Sequence, residues 1–216
     1  MAEKTDYAQI IESRRYPGKE LMSSARFLVI LFAIFALFIF IFTNVLIGVQ
    51  VNGSSMEPTL YGGKMTASGR YYGGDYLFVN ALATPDYGDI IVFHATSEIS
   101  DNSELIKRVI GLPGDTIYAE NGVLYRKHAE EADYRKVEEP YLGEAWTQTL
   151  EEYTVPEREV YVLGDHRSVS RDSREFGSIP LKSVVGVVTG WSLRHKDVLT
   201  EIFEVLHRIR GWFEIG

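Results

Sequence analysis

Glu104-Leu105-Ile106-Lys107-Arg108-Val109-Ile110-Gly111-Leu112-Pro113-Gly114-Asp115-Thr116-Ile117-Tyr118-Ala119-Glu120 reads as strand, turn, strand. Ile106, Val109 and Ile110 fill the first flank, and Ile117, Tyr118 and Ala119 the second. In the turn Leu112 to Asp115, proline sets φ at the second position and glycine accepts a positive φ at the third. Further short runs of this kind, divided by Gly and Pro, fall at Asp75 to Asn80, Asp89 to Ala95, Val123 to Arg126, Glu159 to Leu163 and Ser183 to Trp191. Thirteen Tyr and eleven Phe favour strands further. The expected fold is mainly β, an antiparallel, barrel-like sheet domain. Lys127 to Glu152 is more acidic and less periodic. We read the segment 121–153 as a small inserted cap; an ordinary surface loop with a short helix is the alternative.

Upstream, no charged residue occurs between Arg26 and Glu57, and Phe27 to Phe42 is apolar throughout. With Val45 to Val49 added, residues 27–49 make a helix long enough to span a bilayer, which takes roughly 20 residues. A cleaved signal peptide would be shorter and would end in a small-x-small site, which is not found here. Lys4, Arg14, Arg15, Lys19 and Arg26 precede the span, and the next basic residue is Lys64. Basic residues stay inside, so residues 1–26 are expected as a cytoplasmic tail and 50–216 as an extracytoplasmic domain. At the other end, Ile202, Val205, Leu206, Ile209 and Phe213 share one face of a predicted amphipathic helix, 198–213. That face either packs on the domain or lies in a membrane interface.

Composition narrows the function. The 216-residue chain has a formal net charge of -8, which argues against a nucleic-acid partner. It has no cysteine, so disulfides, zinc-thiolate sites and a cysteine nucleophile are excluded. There is no H-E-x-x-H zinc signature and no phosphate-binding Gly-rich loop. Asn52-Gly53-Ser54 matches a glycosylation sequon. A glycan there would block Ser55, the most conspicuous hydroxyl in the chain, so the match is taken as chance.

Ser55 lies in Gly53-Ser54-Ser55-Met56-Glu57-Pro58-Thr59-Leu60, just after the apolar run. A serine hydroxyl needs a base to become a nucleophile. His166, in Gly164-Asp165-His166-Arg167, is one candidate, with Asp165 or Asp172 completing a triad. Its other reading is that it orders a loop. Lys107 is the second candidate. Burial beside a Val-Ile run would lower its pKa and free the amine to accept a proton. Its other reading is a lysine that reaches out to solvent. The stretch Gly164 to Arg174, dense in Asp, Arg and Ser, reads as a polar network held against a core.

Together these segments resemble type I signal peptidase, the membrane-bound serine protease that removes signal peptides from exported proteins. Gly53 to Leu60 is similar to its S-M-x-P-T box, and Tyr87 to Phe93 to its G-D-I-V-V-F strand. Lys107 to Asp115 is similar to its K-R-x-x-G-x-P-G-D box, and Leu163 to Pro180 to its G-D-N-R-x-N-S-x-D-S-R-x-x-G box. The resemblance implies Ser55 as nucleophile and Lys107 as general base. It puts Ser170 where a serine hydrogen-bonds the lysine amine, and Asp172 and Arg174 at structural ion-pair positions supported by Asp165. It implies an oxyanion hole at the Ser55 amide and Gly53, the latter where many relatives carry a serine. It also implies shallow pockets for small substrate side chains, with Met56 a candidate lining. No metal or cofactor is implied; the partners are signal peptides of secreted preproteins and the lipid bilayer. The short insertion resembles Gram-positive-type enzymes. Departures are His166 for the usual Asn, Ser168-Val169 for another polar pair, and Gly53 itself. A non-catalytic anchored β domain that binds exported chains is the alternative from another class. A self-cleaving serine-lysine regulator is a further one, opposed by the long anchor and the acidic balance.

Overall fold

The computed structural model describes residues 17–67, 71–95 and 104–213. The basic residues Lys4, Arg14 and Arg15 lie outside them, as do the side chains of Lys19, Ile209 and Phe213. The chain divides into two units, 1–44 and 45–216. The first contains helix α1, Pro17–Asn44, whose Ser24–Asn44 portion has a mean hydropathy of 2.8 and the length to cross a membrane.

The expected span to residue 49 is corrected: the helix stops at Asn44, and strand β1, Leu46–Gln50, follows. At the helix end, Thr43 Oγ1 donates to the Ile39 carbonyl (2.8 Å) and Asn44 Nδ2 to the Phe40 carbonyl (3.0 Å). An apolar run has the same composition whether it continues a helix or enters a buried strand. Here cross-strand pairing with Tyr76–Asn80 decides for the strand, from Leu46 opposite Asn80 to Gln50 opposite Tyr76.

From there the chain runs through β2 (Lys64–Met65), β3 (Tyr71–Tyr72), β4 (Tyr76–Asn80), β5 (Ile90–His94), β6 (Glu104–Gly111), β7 (Thr116–Glu120) and β8 (Val123–Lys127). It continues with β9 (Arg135–Lys136), β10 (Leu150–Thr154), β11 (Glu159–Leu163), α2 (Ser173–Phe176), β12 (Ile179–Pro180) and β13 (Val184–Val188). Two helices end it, α3 (Gly190–Arg194) and α4 (Lys196–Phe213). The strand expected over Ser183 to Trp191 is therefore shorter: Ser183 closes a 3-10 turn and Trp191 is already helical.

A seven-stranded sheet in the order β1-β4-β13-β5-β6-β11-β12 carries the core, with antiparallel pairing throughout. Side chains alternate across a strand, and β5 sits with apolar packing on both faces. Ile91 and Phe93 join Val109, Val160, Val162 and Ile179 on one side. Ile90 and Val92 join Val51, Met56, Leu60, Leu77 and Val79 on the other. A third cluster, around Ile110, Ile117, Leu124, Tyr161 and Leu163, lies under a four-stranded sheet β10-β7-β8-β9.

That second sheet contains the segment expected as a cap. It begins with a two-residue hairpin, Glu120 opposite Val123, in which Asn121 and Gly122 take φ of 51° and 78°. Asn-Gly is the pair such a turn favours. The 121–153 segment thus extends the sheet from β7, and no helix forms in it.

Candidate active site

Ser55 is placed by the loop that leaves β1. Val51 N–H donates to the Asp75 carbonyl (2.9 Å) and Gly53 N–H to the Gly62 carbonyl (3.0 Å). The Asp75 carboxylate accepts the Tyr61 N–H (2.9 Å) and is paired with Lys196 of α4 (2.8 Å). On the other side of the loop, His166 N–H donates to the Ser55 carbonyl (3.1 Å), and His166 Nδ1 lies 3.2 Å from the Ser54 carbonyl. His166 therefore holds the backbone of the loop through both of these contacts.

Lys107 is the other candidate base. Its position on β6, opposite Ile91, aims it into the domain, and only 2% of the residue is exposed. Nζ lies 2.7 Å from Ser55 Oγ and 2.9 Å from the Ile106 carbonyl. Burial pushes its pKa from the usual 10.5 down to about 8, although the carboxylates of Asp172 and Asp165 pull it back up. An ammonium in such a place is costly, so deprotonation is made easier.

The surrounding network matches the polar reading of Gly164 to Arg174. Buried Asp165 takes a two-pronged hydrogen bond from Arg108, Nε at 2.8 Å and Nη2 at 2.6 Å, and a further one from Thr59. Buried Asp172 accepts the Gly164 N–H (2.9 Å) and pairs with Arg174 (2.8 Å). Arg174 Nη2 also donates to the carbonyls of Arg167 (2.8 Å) and Ser170 (3.1 Å). Arg167 reaches Glu139, an ion pair between loops that no local pattern announces.

Ser170 is buried, but its Oγ has no hydrogen-bond partner among the described residues. The expected bond to the lysine amine is thus not made. Two other expectations are corrected. Met56 is fully buried in the core against Leu60, Leu77 and Val79, so it lines no substrate pocket. The Gly53 N–H is bonded to Gly62, so it is not free to hold an oxyanion; the Ser55 N–H has no acceptor among the described residues.

Beside Ser55 lies a cleft of about 100 Å³, walled by Val49 to Asn52 and by Glu104 to Lys107. β5 pairs with β6 from Glu104 to Arg108, whereas β11 takes its other edge only from Arg108 to Gly111. The outer edge of Glu104 to Lys107 therefore has no partner among the described strands.

Gly164 is where loop and network meet. A Cβ there would fall 2.1 Å from Ser170 Oγ and 2.5 Å from the Ser55 carbonyl oxygen. Gly164→Ala is expected to displace the serine and lower kcat by about 10²-fold, the cost of an ångström-scale misplacement. Circular dichroism should show the fold kept; wild-type kcat in that variant would refute the packing argument.

The sequence matches the family described as "Signal peptidase, peptidase S26" over residues 24–191. It is 38% identical to Signal peptidase I of Bacillus caldolyticus over 169 residues, 69% of this chain and 79% of that protein. It is 32% identical to Signal peptidase IB of Staphylococcus aureus over 161 residues, 64% of this chain and 73% of that one. A crystal structure of a signal peptidase I from Enterococcus faecalis is 33% identical, covers 50% of this chain and 98% of its own, and superposes with a TM-score of 0.42. With the match running from the apolar helix to just past the last strand, this chain belongs to the signal peptidase family, peptidase S26, and is a serine peptidase.

Proposed function

We propose that this chain is a membrane-anchored endopeptidase that removes N-terminal signal peptides from exported preproteins through a Ser55–Lys107 dyad. The observation that carries the dyad is the 2.7 Å contact between Lys107 Nζ and Ser55 Oγ, with the lysine buried. Neutral Lys107 takes the hydroxyl proton as Oγ attacks the scissile carbonyl carbon. The Ser55 N–H holds the resulting oxyanion. The C–N bond then breaks, and Lys107 returns the proton to the leaving amine. Water, deprotonated by the same amine, hydrolyses the acyl-enzyme ester and frees Ser55.

The substrate lies as an extended strand along the unpaired edge of Glu104 to Lys107, by β-augmentation. A cleft of about 100 Å³ suits small side chains before the cut. The orphan hydroxyl of Ser170 is available to orient the lysine once the substrate excludes water. Helix α1 is the anchor, and the basic residues before it favour a cytoplasmic N-terminus with the catalytic domain outside.

Ser55→Ala and Lys107→Ala are both expected to stop processing of a preprotein, read by sequencing the new N-terminus. Cleavage by Ser55→Ala would remove Ser55 as the nucleophile, whereas export supported by that variant without any cleavage would favour a non-catalytic binding domain. The pH profile gives a second test. The active form carries a neutral amine, so kcat/KM should rise about tenfold per pH unit on the acid side. It should level off above about 8. A profile flat through that range would remove the lysine from the mechanism.

A further inference from the structure

Helix α4 docks with the wrong face for a simple core helix. Val198, Ile202, Val205 and Leu206 stand at helical spacing and form one aliphatic stripe. The contacts to the domain come from the opposite side. Lys196 pairs with Asp75 (2.8 Å), and Tyr76 N–H donates to Thr200 Oγ1 (2.9 Å). Phe203 stacks on the Tyr76 ring with centroids 4.4 Å apart, and Tyr76 Oη lies 3.0 Å from His207 Nε2. The four aliphatic residues of the stripe are left 46–56% exposed.

We propose that this stripe is an interfacial membrane contact, with α4 lying on the bilayer surface and its aliphatic side chains among the acyl chains. Chain continuity supplies the argument for lipid as the occupant. α4 sits on β4, β4 pairs with β1, and β1 begins two residues after the end of the span-length helix α1. β1 has five residues, about 17 Å at the rise of a strand. Tyr76, which seats Phe203, lies at the far end of that short strand pair. Anchoring α1 in a bilayer thus keeps α4 at a high effective concentration of lipid. Asp197, Glu201, Glu204 and Arg208 flank the stripe with mixed charge, so the contact is apolar and does not depend on anionic headgroups. Trp191 of α3, 40% exposed beside the same strand, adds a side chain of the type enriched at membrane interfaces.

The inference rests on α1 spanning the bilayer, and the test separates the two. The chain has no cysteine, so single-cysteine labelling is clean. Val205→Cys, Glu204→Cys and Phe35→Cys are labelled with bimane in the full chain, in phosphatidylcholine vesicles. Cleavage of a short soluble peptide verifies that each variant is folded. The expected result is that nitroxide lipid quenches the labels at 35 and 205, while aqueous iodide quenches the label at 204. Iodide should quench the label at 205 several-fold less than the label at 204. If 35 is quenched by lipid but 205 stays open to iodide, the interfacial contact is wrong and the anchor stands. A label at 205 shielded from both quenchers, with cross-linking between two copies, would replace lipid by self-association. If lipid fails to quench 35, the anchor reading falls, and the inference with it.

Discussion

Lys107→Met is expected to abolish peptide cleavage and yet to unfold less readily than the wild type at pH 7. The catalytic loss follows from removing the group proposed to take the serine proton. Dyad members act as a unit, so the fall in kcat should be on the order of 10⁴–10⁶. The gain in stability comes from burial. At neutral pH the folded wild type must hold an ammonium that is 2% exposed. Its pKa drops from 10.5 to about 8 on folding, a cost of about 3 kcal/mol at roughly 1.4 kcal/mol per unit. Methionine keeps the stem and the volume but removes the charge, at the loss of the hydrogen bonds to Ser55 and Ile106. The expected net gain is about 1–3 kcal/mol.

The pH dependence of that gain has a definite sign. Between about 8 and 10.5 the unfolded lysine binds a proton that the folded one has released. Wild-type stability therefore rises with pH across that window. Below about 8 both states are protonated and the penalty is full. The advantage of Lys107→Met should be greatest at pH 7 and shrink as pH approaches 10.5. Urea denaturation of both proteins at several pH values measures it as a difference, in which the tyrosine ionisations cancel. A variant less stable than wild type at pH 7 would show that the lysine is satisfied as a cation and is no base in waiting.

The same lysine shows what a single sequence makes legible. A cation inside Leu-Ile-x-Arg-Val-Ile is anomalous on a strand, and that anomaly singled out Lys107 as a candidate before any contact was known. Strands Glu104–Gly111, Thr116–Glu120 and Glu159–Leu163 were also readable to the residue, because their apolar runs are closed by Gly, Pro or Asp. The break at Asn44 was not readable, since Val45 to Val49 is as apolar as the helix before it and only pairing with β4 makes it a strand. The Asn121-Gly122 hairpin was legible in principle. Its acidic surroundings suggested a loop instead.

Within the site, motif proximity misled in two places. Met56 sits next to Ser55 in sequence, but a turn sends its side chain into the core. Gly53 sits two residues before the serine, but its N–H closes the loop on Gly62. Asp75 and Lys196, 121 residues apart, tie the loop to α4. An ion pair at that separation leaves no local trace, so neither residue could be singled out.

Asp172→Ala is expected to cost about 3–5 kcal/mol of stability, the penalty for leaving a buried cation without its partner. The carboxylate is fully buried and serves three groups. It accepts the Gly164 N–H, pairs with Arg174 through Nε (2.8 Å) and Nη2 (2.9 Å), and caps α2 at the Arg174 N–H. Arg174 keeps Gln148 Oε1 and two carbonyls as acceptors, so its hydrogen bonds survive in part while its charge does not. Gly164 N–H loses its acceptor beside the Ser55 carbonyl, so activity should fall with stability. Asp172→Asn isolates the electrostatic part, because the amide oxygen still accepts. The Asp172 charge raises the pKa of Lys107 against the stronger effect of burial. Its removal should move the midpoint of the kcat/KM profile to lower pH, leaving more neutral amine at pH 7. A midpoint that stays put or rises in Asp172→Asn, or an Asp172→Ala variant within about 1 kcal/mol of wild type, would mean that this carboxylate neither poises the lysine nor holds the loop.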